Sequence, residues 1–367
     1  MESIQWLMEN GGVSIKLNLM NEGLIDKNSY DAEALVAELL KIEKVETALT
    51  YFDRYKEYKT WRTKDIGSEI HNCYENCYEM FMPFLIRLGF RAGTPVLDDK
   101  VGIIREIYRY LMTVGNEYIS NVVMYLLEAG YYDSDMTVFL ERWLDKIYNT
   151  AEHQCFDIYE TDPTRIKQSK LPKQWKDDPI LKDIHVEGEL TVPTIYHIRY
   201  IIDIYKYIED KTIKEKIDTI LKYVMHPQFQ KLRGNLGYGW FKETEFNRSA
   251  YYACSGSLKL PLYDGNKFNK DTLELMSKSP IAVKTEWYQN CIDYLEQYIT
   301  ERNTYMFPDN WFDSTLGIPR PATTTVVYDA FISKNAKIKR NEKRSFVIEL
   351  LSTYYVLLMK KRMEHTK

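Results

Sequence analysis

Apolar residues along this chain recur mostly at helical spacing. Val101, Ile104, Ile107, Tyr108 and Leu111 share one helix face, as do Ile198, Ile201, Ile202, Tyr205 and Ile208. Val347, Leu350, Leu351, Tyr354, Tyr355 and Leu358 repeat the pattern near the C-terminal end. Periodicity predicts helices over 2–9, 13–22, 31–42, 44–57, 72–88, 99–113, 116–129, 136–151, 193–208, 212–225, 270–277, 283–301 and 341–362. Asp31 stands before Ala32-Glu33-Ala34-Leu35, and Asp133 or Asp135 before Met136-Thr137-Val138-Phe139, as N-caps do. Strand patterning is nearly absent. The best β-branched run, Thr323-Thr324-Thr325-Val326-Val327-Tyr328, reads as a helix start.

The helices share an ending. Leu85-Ile86-Arg87-Leu88-Gly89-Phe90 recurs 41 residues on as Leu126-Leu127-Glu128-Ala129-Gly130-Tyr131, with a looser copy at Leu19-Met20-Asn21-Glu22-Gly23-Leu24. Glycine accepts the left-handed conformation that stops a helix, and the next apolar residue folds back on the last turn. A period of this size predicts stacked helical hairpins.

Three stretches interrupt the helices: 157–192, with Pro163, Pro172 and Pro179; 226–268, with Gly234, Gly237, Gly239, Gly256, Pro261 and Gly265; and 303–322, with Pro308, Gly317, Pro319 and Pro321. Their Trp and Tyr content argues against disorder. No linker of flexible composition separates two halves. The expectation is one closed helical domain over 1–367, with halves 1–156 and 193–367 as the alternative, joined by 157–192.

Composition narrows the function classes. A net charge of −4 over 367 residues argues against a general nucleic-acid binder. Five sparse cysteines, Cys73, Cys77, Cys155, Cys254 and Cys291, are no disulfide framework. No apolar run is long enough to span a membrane, and the polar start shows no signal peptide, so a cytoplasmic setting is expected. The 30 tyrosines stand out. An apolar ring with a polar tip suits helix packing and also the wall of a half-wet cavity.

Helix pairs in series, glycine corners and aromatic-rich loops resemble the α/α-toroid class, which includes terpenoid cyclases and protein prenyltransferase β-subunits. The stretch from Trp6 to Lys16 is similar to the opening of bacterial prenyltransferase/squalene-cyclase-like proteins of unassigned activity. So are Glu69-Ile70-His71-Asn72-Cys73, the run Phe81 to Phe90, Gly237-Tyr238-Gly239-Trp240, and Asn303 to Pro308. The resemblance implies an all-α toroid around a central cavity. The motifs for chemistry depart from the class. Its DxDD acid is met only by Asp133-Ser134-Asp135-Met136, which lacks the last Asp and sits at a helix cap, and its zinc triplet of Asp, Cys and His does not map. The resemblance therefore carries the fold and leaves the reaction open.

Other constellations are sparse. His71, Cys73 and Cys77 have no second ligand pair, and His71 points away from the face that 73 and 77 would share on a helix, so no metal is expected. Cys254, in a glycine-rich loop near Arg248, has the makings of a nucleophile only with a base beside it. Asp157 with Glu160, Glu243 with Glu245, and Asp309 with Asp313 are candidate acid pairs. Gly237-Tyr238-Gly239-Trp240 is no phosphate loop; it aims two rings. Lys337 to Arg344 is a short basic run that reads as a solvated turn. The leading expectation is a small apolar or isoprenoid-like ligand in an aromatic cavity lined by His71, Tyr238, Trp240, Tyr252, Cys254, Trp287 and Trp311, bound without a cofactor, with conversion of the ligand left open. The alternatives are a carbohydrate-active enzyme with paired carboxylates and a helical-repeat scaffold for a protein partner.

Overall fold

The computed structural model describes residues 2–60, 67, 69–71, 77–114, 119–166, 171, 173, 176–186, 188–243, 248–253, 256–263, 265–312 and 337–364, with backbone only for 241–243, 248–253 and 337–344. The chain divides into two compact units, 1–132 with 286–367, and 133–285. The first unit begins with α1 (Glu2–Asn10), α2 (Val13–Asn21), α3 (Ala32–Leu40) and α4 (Glu43–Tyr51). A 3-10 stretch (Phe52–Thr60) leads on toward α5 (Tyr78–Leu88), α6 (Pro95–Val114) and α7 (Ile119–Glu128). The second unit holds α8 (Ser134–Glu152), α9 (Ile195–Ile204), α10 (Lys211–Met225) and α11 (Pro227–Lys231). It continues through a hairpin of β1 (Tyr238–Glu243) and β2 (Arg248–Ala253) to α12 (Lys270–Met276). The chain then returns to the first unit with α13 (Glu286–Leu295) and α14 (Lys337–Glu364).

The architecture is mostly helical, as the periodicity predicts. On α6 all five predicted positions, Val101, Ile104, Ile107, Tyr108 and Leu111, are buried. Asp31 caps α3 by accepting from the Ala34 amide at 3.1 Å. Asp133 stands at the N-cap position of α8 with extended backbone. The Thr323–Tyr328 run lies outside the described residues.

The repeated ending is built three times. Gly23, Gly89 and Gly130 take φ of +64°, +102° and +94°. In each, the glycine amide donates three residues back, to Met20, Ile86 and Leu127, at 3.0 Å. The next amide donates five back: Leu24 to Leu19 at 2.8 Å, Phe90 to Leu85 at 3.1 Å, Tyr131 to Leu126 at 2.9 Å. These bonds satisfy carbonyls that a helix end leaves orphaned. Phe90 and Tyr131 fold back into the core.

The three endings meet. Asn18 and Asn21 of α2 donate to the carbonyls of Arg87 and Gly89 at 2.9 and 2.8 Å. The Ala92 amide donates to the Ala129 carbonyl at 2.8 Å. Near the opposite ends, the Tyr78 hydroxyl at the start of α5 donates to the Val122 carbonyl of α7 at 2.8 Å. Helices α2, α5 and α7 therefore run parallel, packed in that order. Three negative dipole ends gather together, and cations answer two of them. Arg91 donates to the carbonyls of Ile86 and Phe90, and Lys361 of α14 to those of Glu22 and Gly23.

Much of the tyrosine excess works in this packing. Tyr55, Tyr78 and Tyr200 are fully buried, and each hydroxyl donates to a backbone carbonyl, of Glu69 (3.0 Å), Val122 (2.8 Å) and Met136 (2.7 Å). Burial pushes the Tyr55 and Tyr78 hydroxyls well above their usual range, so they stay protonated donors.

The hairpin departs from the sequence reading, which placed a glycine turn there. Tyr238 pairs with Ala253, Trp240 with Tyr251 and Glu243 with Arg248, antiparallel. Its inner edge also pairs with the proline-rich stretch, since the Leu181 amide donates to the Tyr238 carbonyl at 2.8 Å and the Tyr238 amide to the Pro179 carbonyl at 3.0 Å. Gly237, at φ +101°, permits this approach; a Cβ there would lie 2.1 Å from the Pro179 oxygen.

Contact distances rank the glycine corners. A Cβ on Gly89 would meet the Leu17 Cβ at 2.7 Å, whereas one on Gly130 would find its nearest neighbour, Ala92, at 3.5 Å. Gly130→Ala should cost about 1–2 kcal/mol for the left-handed backbone alone. Gly89→Ala should cost about 1–3 kcal/mol more through the clash with α2. Urea denaturation of both variants measures the difference, and equal losses would refute the ranking.

Candidate functional site

Two of the predicted site residues belong to one aromatic surface of the first unit. Trp287 and Tyr294 lie seven residues apart on α13, on the same face and about 10 Å apart along the axis. A 3-10 turn carries the stripe on to Tyr298. Beyond it the chain doubles back, with Ile299 bridging Tyr305 and the Met306 amide donating to the Tyr298 carbonyl at 2.9 Å. This return brings Phe307, Trp311 and Phe312 to the helix. Trp311 lies 5.1 Å from the rings of both Tyr298 and Phe307 and stacks on Tyr294 at 6.4 Å. Phe307 and Phe312 are buried beneath, while Trp287, Tyr294, Tyr298 and Trp311 are half-buried. The Tyr294 and Tyr298 hydroxyls are 3.2 Å apart. Burial, then the bond to Tyr294, pushes the Tyr298 hydroxyl up to about 12.

Three polar residues inside the apolar face of α14 hold the return. Glu349, Ser352 and Thr353 sit at i, i+3 and i+4 and are all buried. Glu349 accepts from the Thr304 hydroxyl and from Arg302 at 3.0 Å. Thr353 accepts the Tyr305 amide at 2.9 Å and Ser352 the Phe307 amide at 3.0 Å. Polar interruptions in an apolar helix were the available signal, but their partners lie 45 to 48 residues away in the chain.

His71 lies elsewhere in the same unit. Its Nδ1 is bonded to the Glu79 carboxylate, which the first turn of α5 presents. The His71 side chain is 38% exposed and that of Glu79 only 13%. Beside it in sequence, Glu69 accepts from the Tyr51 hydroxyl and from Arg54 at 2.9 Å. Burial and then Glu69 push the Tyr51 hydroxyl up. An accessible imidazole oriented by a shielded carboxylate is the arrangement of a general acid–base group. Cys77 is buried at the N-cap of α5, and Cys73 lies outside the described residues. Among the described residues no group of three His, Cys, Asp or Glu is placed to hold a metal ion.

Tyr238 and Trp240 belong to the second unit. Tyr238 packs with Leu171 and Ile180 in a small buried cluster that Ile166 and Trp240 cover. Tyr252 stands opposite Gly239 in the hairpin; its side chain, and Cys254 altogether, lie outside the described residues. Of the candidate acids, Asp157 pairs with Lys182 at 2.6 Å and Glu160 with Arg165 at 3.6 Å. Glu245 and Asp313, the side chain of Glu243, and the side chains of Lys337 to Arg344 lie outside the described residues.

No known protein family, curated protein or solved structure matches this chain. Among the described residues no helix is long and apolar enough to cross a membrane.

The polar face of α14 yields a test. Thr353→Val removes the acceptor of a buried amide and should cost about 1–3 kcal/mol. If the return holds Trp311 in place, the variant should also shift the tryptophan emission, and a lowered stability with unchanged emission would show that Trp311 is positioned independently.

Proposed function

We propose that this protein binds a small apolar, isoprenoid-like molecule on the aromatic surface around Trp311. One observation carries the reading: a half-buried indole is held among Tyr294, Tyr298 and Phe307 by a return that α14 fixes in place. Rings set on a buried aromatic floor offer a ligand apolar area at little cost in side-chain entropy, and the paired Tyr294 and Tyr298 hydroxyls offer polar contacts beside it. The α/α-toroid arrangement, the kinship with terpenoid-cyclase-like and prenyltransferase-like proteins, and a bacterial, cytoplasmic setting belong to the same proposal; the parallel row of α2, α5 and α7 and the glycine corners support the first. Farnesol is a suitable probe. It should quench the tryptophan emission saturably, and Trp311→Ala should weaken its binding by about tenfold or more, measured by calorimetry. Tyr294→Ala, outside the return, serves if Trp311→Ala unfolds. Unchanged affinity in a folded variant would overturn the reading.

A second reading, general acid–base chemistry, is favoured by His71 with Glu79, and glycosides are the substrates to try because the sequence's alternative, built on paired carboxylates, is a carbohydrate-active enzyme. Chromogenic p-nitrophenyl glycosides should be turned over by the protein, and Glu79→Gln should reduce the rate at least about a hundredfold. Turnover that survives Glu79→Gln, or its absence across a panel of pyranosides, removes this reading.

A further inference from the structure

In the second unit, α9 opens with a histidine where a capping box ordinarily has Glu or Gln. The Thr194 hydroxyl accepts the His197 amide at 3.5 Å, and the His197 ring reaches back, with Nδ1 3.2 Å from the Thr194 amide nitrogen and 3.0 Å from its hydroxyl. Accepting the Thr194 amide requires a lone pair on Nδ1, so the ring carries its proton on Nε2. An imidazolium has N–H groups at both positions. It would turn an N–H on the Thr194 amide and set a positive charge at the positive end of the helix dipole. The ring packs on Trp143 of α8, with centroids 4.8 Å apart, and Trp143 meets Tyr200 of α9 at 5.5 Å.

What the cap secures lies on both sides of it. Upstream, the Thr191 amide donates to the Lys146 carbonyl at 3.1 Å and to the Thr150 hydroxyl at 2.9 Å, both on α8. Downstream, the Ile195 amide donates to the Gly256 carbonyl at 2.9 Å. Gly256 in turn bridges Asn235, so the cap stands where the chain entering and leaving the hairpin is tied to the helices. We propose that His197 is an acid-sensitive latch, whose unprotonated ring holds the start of α9 closed and whose protonation frees the 191–195 segment together with the hairpin tie at Gly256.

The electrostatics agree in sign. Desolvation of the half-buried His197 ring lowers its basicity from 6.5 to about 4. The opened form therefore takes up the proton first. Closure is fully favoured above pH 6.5 and is lost progressively as pH falls toward 4.

The test is amide hydrogen exchange on the whole chain at pH 7, 6, 5 and 4, corrected for intrinsic rates. The opening constant for the amides of 194–198 should rise by up to about tenfold per unit below pH 6.5. His197→Gln keeps an acceptor at the capping position and does not titrate, so its opening constant should stay flat. The same acid dependence in His197→Gln, or a flat profile in the unaltered protein, would overturn the latch. Titration of the His197 ring by NMR decides the matter if the variant folds poorly: a midpoint near 4 supports the latch, and one at or above 6.5 overturns it.

Discussion

Helices that stop inside a packed unit must dispose of their last carbonyls, and α2, α5 and α7 stop side by side. Glycine corners absorb some of these groups, Asn18, Asn21 and Arg91 take others, and Lys361 reaches α2 from the last helix. A left-handed residue at each corner is the condition for the rest. Without it Phe90 and Tyr131 would not turn back into the core, and the Ala92 to Ala129 bond that joins two corners would have no geometry to close in. The corners fix where the helices end, and the ends fix the row.

Side chains that serve backbone atoms recur throughout the molecule. Buried tyrosines carry their hydroxyls to carbonyls at the margins of neighbouring helices. Gln230 does the same in the second unit, donating to Val224 and Leu258 and accepting from the Leu260 amide and Asn266. Glu349, Ser352 and Thr353 perform this service for the chain that presents Trp311. Such groups are buried at little net cost because each is paired, yet each becomes expensive once its partner is lost. The aromatic surface thus owes its placement to polar residues that no ligand would touch.

Local rules were legible in the chain and remote pairings were not. The apolar faces of α6 and α9, the cap at Asp31 and the glycine endings each depend on residues within a few positions. The hairpin does not. Tyr238 is fixed by Pro179 and Leu181, far upstream, and a string with two glycines gives no period-two alternation to read. Gly237 announced a turn, but its close approach to Pro179 is tertiary. For the site, Trp287 and Trp311 were visible as aromatic residues beside loops. Trp287 sits on α13 itself, whereas Trp311 reaches that helix only through the return past Tyr305 and Phe307. Glu79 could not be paired with His71 by spacing alone, because Glu79 belongs to α5, which starts only after the extended Cys77.

The first unit is discontinuous, with its two parts separated by the whole of the second. Glu22 and Lys361 stand 339 residues apart in sequence and touch in the folded molecule, and Ser3 reaches Asn303 across 300. A ribosome therefore delivers α1 long before α14, the helix that packs against it. The inserted unit emerges complete, with its own caps and core, while α1 still waits. Synthesis imposes an order in which the interruption matures before the interrupted unit is complete, so α1 spends most of translation without its α14 partner and in need of shelter.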